Sequence, residues 1–384
     1  MHITYLDWAA TTPPDKEILS QMVDVEYKFF ANPSSPHFAG QEARRILEDA
    51  RKQCAYTLKC KPDNILFTSG GTESNNMVLY SVLQSTGKSS IAVSGIEHAS
   101  VYESAQSLER LGITARFVNA DTTGCISLEK LKESIDPNTR LVSIMSVNNE
   151  TGVIQPLREI AAVIREAESR FGRRIHFHTD AVQALGKIPF YPAEVDIDSA
   201  SFSGHKICGP KGIGMLYLRR PVNFLYKGGG QEQGLRPGTE NLPGVWGMAR
   251  AVGKYVSNLD EDLQKVREQM GKLRERLTHI RGCRFIIQNN EKNCSPYIFS
   301  AAFPPIPGEV LVRVLSDRGF AVSTGSACST GKKNRTRVLE NMGVDRKTAF
   351  SAIRISIGCT TTEEEIFKFC NTLEQEVTLL LNTL

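Results

Sequence analysis

The chain has 384 residues, long enough for about two domains around a large buried core. Its 41% hydrophobic and 23% charged residues suit a globular protein in water, a formal charge of +4 with no dense Lys/Arg run argues against nucleic acid, and no apolar run reaches membrane-spanning length. The N-terminus lacks a signal-peptide pattern, and nine scattered cysteines form no CxxC pair, so reduced thiols and a cytoplasmic location are expected.

In chain order, Asp7-Trp8-Ala9-Ala10-Thr11-Thr12-Pro13-Pro14 reads as a short ordered arm, after which Asp15 caps a helix to about Phe30. Asn32-Pro33-Ser34-Ser35-Pro36 is a loop, and a second helix covers about 40–58. Residues 64–68 form a short apolar strand that runs into Ser69-Gly70-Gly71-Thr72-Glu73, a tight turn and helix start. Strand 90–94 leads to Glu97-His98 and a helix; strand 115–118 follows. Strand 141–147 ends at Asn148-Asn149-Glu150, helix 157–170 follows, and strand 175–179 ends at Asp180. Such alternation predicts an α/β fold: a largely parallel sheet with helices on both faces. Functional residues then belong at the carboxyl ends of strands, and Thr72, His98, Asn149, Asp180 and Lys206 each directly follow a predicted strand.

The pattern changes near residue 257. Leu259, Leu263, Val266, Met270, Leu273, Leu277 and Ile280 alternate spacings of four and three, which makes a helix with one apolar stripe. The stripe ends after about three heptads, so packing along its own domain is preferred to a partner coiled coil. Strand 297–303, a helix near 308–318, strand 353–357 and a helix from a Thr362–Glu365 capping box suggest a smaller α+β domain. The expected division is 15–257 for the large domain, with 1–14 and 258–384 forming the small one.

Several stretches carry chemistry. Ser203-Gly204-His205-Lys206 sets a lysine among hydrogen-bonding residues before a glycine-rich turn. A Schiff-base lysine must be partly neutral, which a desolvated pocket favours; a solvated surface lysine is the competing reading. Gly71 and Thr72, at a helix start, suit a phosphate through backbone N–H groups and a hydroxyl, but no P-loop GK[ST] follows. His176-x-His178-x-Asp180 offers three metal ligands on one strand face with no fourth nearby. Asp180 could instead pair with a protonated heterocyclic nitrogen, with Gln183 donating to an oxygen on the same ring. His98 is either structural or a ring that stacks on a cofactor and moves protons. Cys328 lies in a polar loop with Lys332, Lys333 and Arg335 behind it, and basic neighbours favour the thiolate. Arg354, a charge inside an apolar strand, forms either an internal salt bridge or a clamp on a substrate carboxylate.

Together these segments resemble the cysteine desulfurases of the class-V aminotransferase family, pyridoxal-phosphate fold type I, in the branch with the longer catalytic-cysteine loop. The resemblance rests on Leu6-Asp7-x-Ala9-Ala10-Thr11-Thr12-Pro13, Ser69-Gly70-x-Thr72-Glu73-Ser74, Glu97-His98, Asn148-Asn149-Glu150, Asp180-Ala181-x-Gln183, Ser203-Gly204-His205-Lys206, Gly238-Thr239-Glu240-Asn241 and Gly325-Ser326-Ala327-Cys328. It implies a mixed, mostly parallel sheet in the large domain and pyridoxal 5'-phosphate held by Lys206 as a Schiff base. Asp180 would pair with the ring nitrogen, Gln183 with the ring oxygen, and His98 would stack on the ring. Gly71, Thr72, Ser203 and His205 would hold the phosphate, with Thr239 reaching it from a second subunit of a homodimer. Asn149 and Arg354 would bind the carboxylate of L-cysteine, with Asn32 as helper. Cys328 would take the sulfur as a persulfide, leaving alanine, and pass it to an acceptor protein for iron–sulfur clusters or thio-cofactors. No metal, nucleic acid or membrane enters this scheme. A selenocysteine lyase or a C–S lyase on the same scaffold is the alternative. Gln233 and Pro237 depart from the family's usual arginine and small residue.

Overall fold

The computed structural model describes residues 3–220, 222–288, 291–325 and 336–383. Its larger sheet has seven strands, in the order Ile65–Thr68, Gly214–Leu218, Ser199–Ser203, His176–Asp180, Thr139–Ser143, Ser90–Ser94 and Thr114–Val118. Gly214–Leu218 runs antiparallel to both neighbours, and every other pairing is parallel. Six strands therefore end on the same edge.

Side chains alternate across a strand, and the two faces of this sheet feed two separate cores. Ile65, Phe67, Ala92, Met215 and Tyr217 join one core with helices Phe38–Thr57, Leu157–Phe171 and Leu242–Ser257. Leu66, Ile91, Val93, Leu216 and Leu218 join the other with helices Gly71–Tyr80 and Ala99–Arg110. With both faces covered, whole strands are buried, which explains their unbroken apolar runs.

A third core takes Leu6 and Ala9 from the start of the chain and side chains from Leu263 to Val377. It packs around an antiparallel sheet of Arg284–Phe285, Ile298–Ala302 and Ala352–Ser356. Thr4–Tyr5 pairs in parallel with Phe320–Ala321, tying the N-terminal arm to this part. The apolar stripe lies on helix Leu259–Thr278, is buried throughout, and packs within the chain.

The caps form as expected. Asp15 accepts from the Glu17 and Ile18 N–H groups, and Thr362 and Glu365 exchange bonds of 2.8 and 3.2 Å. The expected strand 141–147 is shorter, since its ladder stops at Ser143. Val147 then bridges to Ile154 and Asn148 N–H donates to Val153 O, so Asn149 sits in a hairpin turn and not at a strand end.

Candidate active site

The carboxyl ends of the strands open into one cavity of about 540 Å³. His176–Asp180 ends on Asp180; Ser199–Ser203 ends on Ser203 and continues as a single turn, Gly204–Lys206. Ile65–Thr68 delivers the Ser69-Gly70 turn and the N-terminus of helix Gly71–Tyr80, and His98 caps the helix beyond Ser90–Ser94. Gly71, Thr72, His98, Asn149, Asp180, Gln183, Ser203, His205, Lys206 and Arg354 all line this space. Asn32 does not: it is exposed, and its side chain accepts from Ser34 N–H at 2.8 Å in a local turn. Thr239 is likewise exposed and outside the lining. Cys328 lies outside the described residues. The segment 326–335 leaves and rejoins the described chain at the cavity wall, where Gly325 O accepts from Arg354 and the Arg337 guanidinium donates to Gly95 O and Glu97 O.

The Lys206 amine donates to Ala9 O at 2.7 Å and Ala10 O at 2.6 Å, so the N-terminal arm forms part of its wall. Asp180 is fully engaged. Oδ2 accepts from Asn75 Nδ2 at 2.8 Å and Oδ1 from Val182 N–H at 3.0 Å. Asn75 completes the arrangement by accepting His178 through Oδ1 at 2.9 Å and donating to Ser100 Oγ. His178 and His176 both reach Ser199 Oγ at 2.8 Å. Burial pushes these imidazoles down to about 3 and about 4, so both are neutral near pH 7. Their bonds go to hydroxyl and amide groups, and no cluster of three or more His, Cys, Asp or Glu among the described residues could hold a metal.

The helix start at Gly71 lines the same cavity, with Ser203 beside it and His205 also in the lining. Burial, then Lys206, pushes His205 down to about 4; its Nδ1 meets Thr11 Oγ1 at 3.1 Å. Glu73 would repel an anion here, but Arg236 pairs with it at 2.9 Å. Although burial opposes ionisation, Arg236 and Ser69 hold that carboxyl below its usual range. His98 is also held low, chiefly by burial, and its Nδ1 contacts Ser100 N–H and Oγ.

Arg354 is 3% exposed. Its Nη2 meets Asp7 Oδ1 at 2.7 Å, its Nη1 donates to Asn149 O and Gly325 O, and its buried Nε has no partner among the described residues. The internal salt bridge is therefore present, and it sits in the cavity wall. Glu97, Glu103 and Glu150 also line the cavity. Burial raises Glu97 to about 8 and Glu150 to about 7.

Sequence reasoning misses Asn75 and the pair Arg51–Glu232. The latter is almost fully buried, with bonds of 2.7 and 2.8 Å, and Glu232 also accepts Phe67 N–H at 2.8 Å. Period alone could have placed Asn75 on the sheet-facing side, four residues after Gly71 on the same helix.

The aminotransferase class-V family model matches residues 4–369. "Cysteine desulfurase IscS" of Dictyoglomus turgidum is 36% identical over 380 residues, covering 97% of this chain and 93% of that protein. "Cysteine desulfurase" of Homo sapiens is 38% identical over 372 residues, covering 94% of this chain and 79% of that one. Among solved structures, a "NifS-like protein" superposes with a TM-score of 0.91 at 38% identity, covering 99% of this chain and all of that one. "SspA in complex with cysteine" gives 0.79 at 31% identity over 93% of this chain and 99% of that one.

Proposed function

We infer the reaction from membership: the chain belongs to the class-V aminotransferase family and is a pyridoxal-phosphate-dependent cysteine desulfurase. One observation supports assigning particular residues to that reaction: the Lys206 amine, the Asp180 carboxylate, the helix start at Gly71 and the Arg354 guanidinium share one cavity.

The donor set fits the cofactor. Lys206 supplies the amine that links it, Asp180 a carboxylate for the ring nitrogen, and Gly71, Thr72, Ser203 and His205 donors for the phosphate. When bound, the pyridoxal ring supplies an electron sink for bonds at the amino acid's α-carbon. Asp180 would pair with the ring nitrogen, and the Asn75 and Val182 donors hold its carboxylate in place. His98, which caps a helix, would stack on the ring. Gln183 would donate to the ring oxygen. Arg354 binds the carboxylate of L-cysteine with Asn149, both already joined through the Asn149 carbonyl. Asn32 and Thr239 are assigned to the same cavity only as contributions that a rearranged loop and a second subunit bring.

Cys328 receives the sulfur. Its thiolate attacks the sulfur of the bound cysteine, a Cys328 persulfide forms, and the carbon–sulfur electron pair leaves with the alanine. We further assign the chain to a cytoplasmic homodimer that passes this sulfur to an acceptor protein serving iron–sulfur clusters or thio-cofactors. Residues 15–257 make the cofactor-binding domain and 1–14 with 258–384 the second; Val338, Leu339 and Met342 pack back onto the first.

Incubation with L-cysteine should give alanine, sulfide and a labile sulfur on Cys328. Cys328→Ala should retain the cofactor and lose persulfide. Alanine and sulfide at the parental rate from that variant would refute the thiol's role. Pyruvate and ammonia in place of alanine would identify a C–S lyase, and a preference for selenocysteine would identify the alternative lyase.

A further inference from the structure

A buried lysine stands behind the cofactor cavity, and the reaction as assigned does not use it. Lys187 is 4% exposed, and its Nζ donates to Gln183 Oε1 at 2.6 Å. Gly186, at φ +68°, turns the chain just before it, and a Cβ there would sit 3.3 Å from Ile207 Cγ2. The turn thereby aims Lys187 back under Gln183, four residues earlier.

An amide can face either way, and its surroundings decide which end is a donor. Ala9 O can only accept, so the Gln183 end that meets it must be the NH₂, and the end that meets Lys187 is the carbonyl oxygen. The NH₂ end is then turned toward the arm and cavity, where it reaches Ala9 O at 2.9 Å. That same carbonyl accepts from the Lys206 amine. The chain Lys187–Gln183–Ala9–Lys206 thus joins two lysines through one glutamine and one carbonyl.

We propose that Lys187 is a positioning residue for the cofactor: it locks Gln183 with its NH₂ as the donor to the ring oxygen and adds a positive charge behind it. The proposal rests on the assignment of Gln183 and Lys206 above. Burial first, then Lys206 and Arg354, drive the Lys187 proton off, while Cys208 favours it; the balance brings the amine down to about 7. His205, also facing it, is held neutral. Lys187 therefore titrates near pH 7, and its charge adds to a hydrogen bond that persists when it is neutral.

A donor at the ring oxygen and a cation behind it both favour release of the proton shared between that oxygen and Lys206 Nζ. Removing them must raise the pH at which the bound cofactor loses it. The test is a pH titration of the visible absorption of purified holoenzyme, in wild type, Lys187→Met, Lys187→Gln, Gln183→Leu and the Gln183→Leu/Lys187→Met double variant. Lys187→Met should raise the apparent pKa by about half to one unit, and Lys187→Gln, which keeps a donor but no charge, by less. In the Gln183→Leu background the Lys187→Met shift should shrink to its charge component. Melting curves and cofactor stoichiometry identify a variant that has merely lost its fold, and Lys187→Gln then carries the test. An unmoved pKa in a fully loaded Lys187 variant overturns the proposal, as does an equal shift with and without Gln183. A wild-type protein with no visible band, and no borohydride-trapped adduct on Lys206, instead overturns the cofactor assignment itself.

Discussion

The Asp7 carboxylate and the Arg354 guanidinium bring the two ends of the chain together at the cavity wall, 2.7 Å apart. Asp7 follows the first strand-like arm and Arg354 lies in the penultimate element, so this pair closes the site across 347 residues. Arg354 also holds Asn149 O and Gly325 O, the carbonyls on the 147–154 hairpin and just before residue 326. One planar side chain therefore organises three segments. A lysine has the charge but cannot span them.

Arg354→Lys should raise KM for L-cysteine about tenfold or more, from loss of a charge-assisted bond of about 1.5–3 kcal/mol. Arg354→Ala should in addition lower stability by about 3 kcal/mol, because Asp7 is left without its partner. Steady-state kinetics and urea unfolding separate the two. An unchanged KM in Arg354→Lys would place the carboxylate elsewhere.

Asn75 satisfies three buried groups: Asp180, His178 and Ser100. Asn75→Leu keeps the volume and removes one hydrogen bond from each, leaving Asp180 Oδ2 and His178 Nε2 without their Asn75 partner. Each unsatisfied buried group costs about 1–3 kcal/mol, so a loss of at least about 2 kcal/mol is expected, together with weaker cofactor retention as Asp180 loses its aim. Unfolding midpoints and the rate of cofactor loss in dialysis measure these. Retention at the wild-type level in a folded Asn75→Leu would show that Val182 N–H alone fixes Asp180.

The residues legible in the sequence are those that directly follow apolar strands. Asp180, Ser203, Lys206 and His98 are displayed by a parallel sheet whose buried strands announce themselves. Asn75 is legible only in part: its spacing from Gly71 places it on the sheet-facing side of the helix, but nothing in the sequence shows that its amide meets Asp180, His178 and Ser100. Helix Leu242–Ser257 is hidden by Pro243, Gly244, Gly247 and Gly253, which lower helix propensity. Gly247 is there for close approach: a Cβ would come within 2.6 Å of Met22 Sδ on helix Lys16–Lys28. The antiparallel strand Gly214–Leu218 carries no mark of direction, since burial on both faces erases alternation. Asn149 reads as a strand end because the apolar run continues past Ser143, although its hydrogen bonds turn there into a hairpin.

Arg51 and Glu232 form a nearly fully buried pair that also binds Ile65 O and Phe67 N–H, the backbone of the strand feeding the Ser69-Gly70 turn. Removing either partner leaves a buried charge. Glu232→Ala should therefore cost about 3–5 kcal/mol, whereas replacing both with apolar residues, Arg51→Met with Glu232→Leu, should cost less than the single change. Chemical unfolding of these two variants and the parent checks the order. A Glu232→Ala variant as stable as the parent would mean that water reaches Arg51 in its absence.

Glu97 gives a stability prediction with a definite sign. Burial raises it from the ordinary carboxyl value to about 8, despite opposing bonds from Ser94 Oγ and Met145 N–H, and its Oε2 has no partner among the described residues. The folded protein thus keeps a proton that the unfolded chain gives up near pH 4.5. Its stability contribution is complete below that pH and is lost as pH rises through about 8. Glu150 behaves alike but is already half ionised at about 7, and the depressed His176 and His178 act only where unfolded histidines bind protons, below about 7. Lys187 acts oppositely between pH 7 and 8, since the unfolded chain holds a proton there that the fold tends to release. The wild-type slope alone is therefore uninformative, and the difference between Glu97→Gln and wild type isolates Glu97. Gln keeps an oxygen for Ser94 and Met145 and carries no charge, so its advantage over wild type should grow by about 1 kcal/mol from pH 7 to pH 8. Urea midpoints of the two proteins at both pH values measure this, and a constant difference would mean that Glu97 is already ionised in the folded protein at pH 7.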